Sequence, residues 1–97
     1  VPYCTSKGAA NMLTKIMALA LSKYGICVNA ILPGTIETDI NRDILDSGSV
    51  REDIEAATPL GCLGKVEHIA HAAVLLGSDE SDWTTGALLV IDGGFIA

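Results

Sequence analysis

Apolar side chains recur at helical spacing from Ala9 through Met12, Leu13, Ile16, Met17 and Ala20 to Leu21, and Gly25 follows as a stop. The pattern predicts a long helix over residues 3–23. Ala10, Ala18 and Leu19 widen its apolar stripe, so the helix should be buried on most faces, between a sheet and another subunit or domain. Residues 26–32 form a short, nearly continuous apolar run ended by Pro33-Gly34. That suits a strand buried on both faces, as in a parallel sheet. Residues 36–57 read as a polar, mobile, partly helical segment, with Asp46-Ser47-Gly48-Ser49 as an internal break. The helical pattern returns over 66–76 through Ile69, Ala70, Ala73, Val74 and Leu76, and Gly77 ends it. Residues 87–91 predict a second buried strand, ended by Asp92-Gly93-Gly94.

Two apolar strands joined by a helical crossover imply a parallel pair in an α/β sheet with a right-handed connection. Two strands do not make an independently stable sheet. The remaining strands are therefore expected in sequence before Val1. A first residue other than Met and a hydrophobic fraction of 49% in only 97 residues point the same way, to a piece of something larger.

Charge changes the picture along the chain rather than overall. Residues 1–36 carry Lys7, Lys15 and Lys23 and no acid. Residues 37–55 carry seven acids against Arg42 and Arg51. The net charge of −6 argues against a phosphate-backbone binder, which needs a basic face. High hydrophobicity with 19% charged residues argues against a disordered chain. No apolar run reaches the ~18 residues that span a bilayer, so no membrane partner is expected. Cys4, Cys27 and Cys62 are odd in number and widely spaced. They read as buried or idle thiols in a reducing compartment, and a cytoplasmic location is expected.

Candidate chemistry lies at two places. Tyr3 and Lys7 stand at i and i+4 near the start of the first helix, on one face and ~6 Å apart along its axis. An ammonium beside a phenol favours the phenolate and lowers the tyrosine pKa. Such a tyrosine can exchange a proton with a substrate hydroxyl or carbonyl. Alone, the spacing is a weak signal and better suits a lysine lying over an aromatic ring. Pro33-Gly34 follows a buried strand directly, where ligands bind in open α/β sheets. Glycine there permits close backbone approach, and Thr35 and Thr38 add hydroxyls. Taken by itself this is also a plain strand-ending turn.

In order, however, Tyr3-Cys4-Thr5-Ser6-Lys7, Lys23-Tyr24-Gly25-Ile26, Val28-Asn29-Ala30, Pro33-Gly34 with Thr38, Pro59-Leu60-Gly61, and Thr85-Gly86 with Val90-Ile91-Asp92-Gly93-Gly94 resemble the C-terminal part of the short-chain dehydrogenase/reductase family. The resemblance covers essentially the whole chain. It implies a doubly wound Rossmann-type parallel sheet, with residues 1–97 as the C-terminal part of a single NAD(P)-binding domain. It also implies an oxidoreductase using NAD or NADP, with hydride passing between the nicotinamide and a carbon bearing a hydroxyl or carbonyl. Tyr3 would be the general acid/base and would also contact the cofactor. Lys7 would lower its pKa and bond the nicotinamide ribose. After Pro33 and Gly34, the Ile36 backbone would hold the carboxamide, and Thr38 would contact carboxamide or pyrophosphate. The acidic 36–57 segment falls where the family has its substrate-covering loop. Within the family, Y-G-I-x-x-N-A-x-L-P-G-T-I-x-T-x-x-N looks like bacterial L-rhamnose 1-dehydrogenases and related aldose dehydrogenases. There Thr35 and Asn41 would face the sugar, since sites that bond hydroxyls favour polyols. Secondary-alcohol, acyl-chain keto-reductase and steroid-type relatives share most of the same motifs. As a full-length chain, family members are commonly dimers or tetramers, and a homotetramer is expected.

The family's glycine-rich dinucleotide turn, its catalytic serine and its upstream asparagine are not in these residues. The 97 residues alone are therefore expected to be inactive. Cys62 stands where relatives often have arginine, and Val66 replaces a helix-starting proline. His68 and His71 read as a solvent-edge pair rather than metal ligands, the acids of 37–55 as a solvated face, and no metal site is expected. Trp83 reads as a packing anchor before the last strand. Asn29, inside a buried strand, must be hydrogen-bonded and is expected to tie neighbouring loops. The competing class is a non-catalytic dinucleotide-binding or assembly protein on the same fold. A small independent interaction domain is a third reading, disfavoured by the unpaired strands.

Overall fold

The computed structural model describes the backbone of residues 2–95 and the side chains of residues 7–95. Helix α1 (Pro2–Leu21) runs into a 3-10 turn (Ser22–Tyr24) and is followed by strand β1 (Ala30–Pro33). Helices α2 (Arg42–Leu45), α3 (Val50–Ala57) and α4 (Val66–Leu76) come next. A second 3-10 turn (Asp79–Ser81) leads to strand β2 (Leu88–Ile91). The two strands form one sheet. The Ala30 N–H donates to Ala87 O at 2.9 Å and the Gly34 N–H to Ile91 O at 2.9 Å, a constant offset that makes the pair parallel. The chain divides into two compact units, one of the segment through Ile31 with Ala73–Leu89, the other of Leu32–Ala72 with the segment from Val90.

In the first unit, Gly25 closes the 3-10 turn that follows α1, in the left-handed region at φ 73°, with its N–H on Ser22 O. The strand predicted over 26–32 begins only at Ala30. The backbone before it is spent otherwise. Val28 N–H donates to Thr85 Oγ1 at 3.0 Å, and Val28 O accepts the Gly86 N–H at 2.7 Å. Asn29 does tie loops: its Nδ2 donates to Thr84 O and its Oδ1 accepts the Ala87 N–H, both at 3.0 Å. Lys15 Nζ reaches Gly86 O at 2.9 Å and fastens α1 to the same turn. Ala18 is buried, but Leu19 is 80% exposed, and Met12, Leu13 and Ile16 are exposed too. The expected burial of α1 on most faces is thus not met within this chain, because its two-stranded sheet is too small to cover so broad a stripe.

Trp83 is 98% exposed and does not anchor the approach to β2 as expected. Small groups hold that turn instead. The buried Ser81 hydroxyl donates to the carbonyl oxygens of Leu76 and Ser78, and the Thr84 N–H to Ser81 O. Cys27 and Cys62 are free thiols exposed at the surface rather than buried, and Cys4 lies outside the described side chains.

The second unit is organised around the ends of both strands. Leu45, Leu63 and Ala72 are its buried apolar residues among those described. Thr58 is also buried, and its hydroxyl donates to Ile54 O at 2.8 Å. The Pro59-Leu60-Gly61 turn packs on Gly93 and Gly94. Leu60 N–H donates to Gly93 O at 3.0 Å, and a Cβ on Gly93 would come within 2.7 Å of Thr58 Cγ2. The break at Asp46–Ser49 separates α2 from α3 as the sequence suggests, with Gly48 at φ 60°. Helix α4 starts at Val66 without a proline; the Lys65 N–H donates to His68 Nδ1 at 2.9 Å and the His68 N–H to Lys65 O at 3.0 Å. His68 is therefore a helix-start cap. Among the described residues no cluster of three metal-binding side chains occurs, and no helix is long and apolar enough to cross a membrane.

Candidate functional site

Tyr3 and Lys7 both lie on α1, one turn apart. Pro2 opens that helix, where a missing N–H costs least. The Tyr3 side chain, assigned to proton transfer by the sequence, lies outside the described residues, and Lys7 is half-buried.

The loop after β1 belongs wholly to the second unit. Gly34 has no room for a side chain: a Cβ there would lie 2.7 Å from Asp92 Cβ and 2.8 Å from Asp92 Cα. The close approach that glycine permits here is to the end of β2. Beyond it, Thr35 is exposed and Ile36 forms a parallel bridge with Gly64. Gly64 N–H donates to Thr35 O, and Glu37 N–H donates to Gly64 O, both at 3.0 Å. Asn41 stands at the N-cap position of α2 yet makes no capping bond to it. Its amide turns back instead. Oδ1 accepts the Thr38 N–H at 2.8 Å, and Nδ2 donates to Ile36 O at 2.8 Å. A backbone N–H and a backbone carbonyl can be served only in that sense, so the amide orientation is fixed. Four bonds thus hold the peptides around Ile36, while the Ile36 N–H meets no acceptor among the described residues.

Glu37, between Ile36 and Thr38, anchors an ionic network that the sequence reading took for a solvated acidic face. Arg51 grips its carboxylate with two parallel bonds of 3.0 and 3.1 Å, and also bonds Asp46 at 2.8 Å. Arg42 bonds Glu37 at 3.2 Å and Asp39 at 2.8 Å. The fork-to-fork Arg51 pair is the geometry in which guanidinium holds carboxylate best. With Asp39 92% exposed, the Arg42–Asp39 pair adds little. Two arginines set among seven acids were the available signal for this pairing.

Hydrogen bonds from Arg51 first, and Arg42 second, lower the Glu37 pKa from 4.5 to about 2. A carboxyl with a depressed folded-state pKa stabilises the fold fully above its unfolded value and loses that stabilisation as pH falls through the folded value. Melting temperatures of the full-length protein are therefore expected to fall between about pH 4.5 and 2, and part of that fall should be missing in Glu37→Gln. Identical acid limbs in the two proteins would remove Glu37 from the network's energetics. An open cleft of about 280 Å³ lies beside Glu37, Arg42, Lys65, Val66 and Glu67, and holds none of the sequence-predicted site residues.

A family model described as Enoyl-(Acyl carrier protein) reductase matches residues 1–96. Over 92 residues the chain is 47% identical to an L-rhamnose 1-dehydrogenase (NAD(P)(+)) of Sphingomonas, covering 95% of this chain and 36% of that protein. It is 40% identical to human L-xylulose reductase over 95 residues, covering 98% of this chain and 39% of the relative. A crystal structure of a gluconate 5-dehydrogenase from Burkholderia cenocepacia, in complex with NADP and tartrate, superposes with a TM-score of 0.88 at 38% identity. That match covers 99% of this chain and 38% of the other. The chain thus spans little more than a third of the length of these relatives, and its α/β arrangement is that of the matching part of the solved structure.

Proposed function

The chain belongs to the short-chain dehydrogenase/reductase family, and from that membership we propose that it is the C-terminal part of an NAD(P)-dependent oxidoreductase acting on a CH–OH group, with a sugar as substrate. The observation that carries the reading is the loop at the carboxyl end of β1, where the surrounding backbone is pinned and the Ile36 N–H remains to be offered outward. Such a donor fits the carboxamide oxygen of a nicotinamide. The half-buried Thr38 hydroxyl, two residues on, suits the same group or the pyrophosphate. Pro33 and Gly34 set the loop's direction by ending β1 against Asp92. When bound, the dinucleotide would supply the carbon that takes or gives hydride. Tyr3 would move the proton, and Lys7 would hold the phenol in its acidic range and bond the ribose. Thr35, exposed on the loop, is assigned to the substrate. The sugar reading draws on the L-rhamnose and L-xylulose relatives.

The exposed apolar stripe of α1 supports a covered position for that helix in the whole protein, and we assign the full-length chain to a homotetramer. The test is to express the full reading frame containing these residues and follow NAD(P)H formation with L-rhamnose, other aldoses and simple secondary alcohols. Sugar-dependent reduction is expected. Turnover of alcohols alone would sink the sugar assignment, and saturable cofactor binding with no turnover on any substrate would favour a non-catalytic role. The 97 residues alone are expected to give no turnover; NAD(P) reduction by the purified 97-residue chain would overturn that.

A further inference from the structure

The Asn41 amide, which the family resemblance places against the substrate, hydrogen-bonds the backbone of its own loop. Both of its polar atoms serve backbone groups of residues 36 and 38, and α2 goes without a side-chain cap as a result. The consequence falls on Ile36. The peptide before it is held through Thr35 O by Gly64. The peptide after it is held at both atoms, Ile36 O by Asn41 and the Glu37 N–H by Gly64. The next peptide is held through the Thr38 N–H, again by Asn41. Three successive peptides are fixed, and a single donor among them, the Ile36 N–H, has no acceptor among the described residues. A donor fixed before its ligand arrives loses little freedom on binding. We propose that Asn41 is a positioning residue for cofactor binding: its amide staples residues 36–38 so that the Ile36 N–H is presented to the nicotinamide carboxamide, and it does not itself bind the substrate. This rests on the reading of the loop as the nicotinamide site.

The test uses the full-length protein and needs no turnover for its main readout. Calorimetric titration with NAD⁺ and NADP⁺ is expected to show Asn41→Ala binding about tenfold more weakly than wild type, the scale of one or two lost hydrogen bonds. The cofactor KM should rise by the same factor, while the substrate KM at saturating cofactor stays within about twofold. Asn41→Asp keeps the size of the side chain, and a melt confirms that it folds. Its carboxylate still accepts from Thr38 but faces the Ile36 carbonyl without a proton. NAD⁺ binding should therefore weaken at pH 8 and recover relative to wild type as pH approaches the carboxyl's own range, where the acid again donates. A raised substrate KM with unchanged cofactor binding would make Asn41 a substrate contact and overturn the proposal. Unchanged binding in both variants would overturn it as well. A wild-type protein that binds neither dinucleotide would instead overturn the functional reading, before any variant is compared.

Discussion

Tyr3→Phe in the full-length protein is expected to lower kcat about a thousandfold, the middle of the range that a positioned acid/base contributes. The substitution removes one oxygen from a ring. Tyr3 sits in the first turn of α1, and a phenylalanine there leaves the helix its length and its proline start. Cofactor affinity should change by less than about threefold, because the aromatic ring and Lys7, the residue proposed to bond the ribose, both remain. A fall in kcat and in kcat/KM together, with KM steady, is the signature of a group used only in the transition state. Lys7→Met gives the second half of the test. In the proposed mechanism the neighbouring ammonium favours the phenolate, so its loss is expected to move upward the pH at which alcohol oxidation reaches half its maximum. Full activity in Tyr3→Phe would remove proton transfer from this residue and with it the mechanism proposed here.

Where the pattern of apolar residues alone decides an element, the sequence was legible. Helix α4 occupies the residues that its spacing and Gly77 predict, and the break between α2 and α3 falls at Asp46–Ser49. Where side chains compete for the backbone, it was not. Ile26 to Val28 read as strand because they are apolar, but Thr85 takes the Val28 N–H before a ladder can form. The Arg51 grip on Glu37 crosses fourteen positions, beyond any helical or strand period. Asn41 lies in the loop after β1, at the N-cap position of α2. Its direction was hidden, because an N-cap asparagine and one turned back into its loop have the same sequence. Trp83 and α1 failed for a different reason. Large apolar side chains predict burial, but not within which part of a longer assembly the burial occurs.

Gly34→Ala should be the most damaging single substitution for the fold, costing roughly 2–3 kcal/mol or more as an overpacking with no flexible neighbour to yield. Two of the three atoms that the new methyl would meet, Asp92 Cα at 2.8 Å and Asp92 O at 3.3 Å, are backbone atoms. The third, Asp92 Cβ at 2.7 Å, is fixed to them directly. Relief requires β1 and the end of β2 to part, which strains the Gly34 to Ile91 hydrogen bond. The loop that begins at Thr35 would shift with it. Cofactor affinity should therefore fall alongside the urea midpoint, even though the methyl need not touch the ligand. Gly8→Ala is the control, since nothing lies within 4 Å of the added carbon and the site is helical. It should stabilise by roughly 0.5–1 kcal/mol, the ordinary gain of alanine over glycine in a helix. Opposite shifts in the two urea midpoints would show that Gly34 is held by contact with Asp92. A neutral Gly34→Ala would mean that the strands can separate freely and do not set the direction of the loop proposed to hold the nicotinamide.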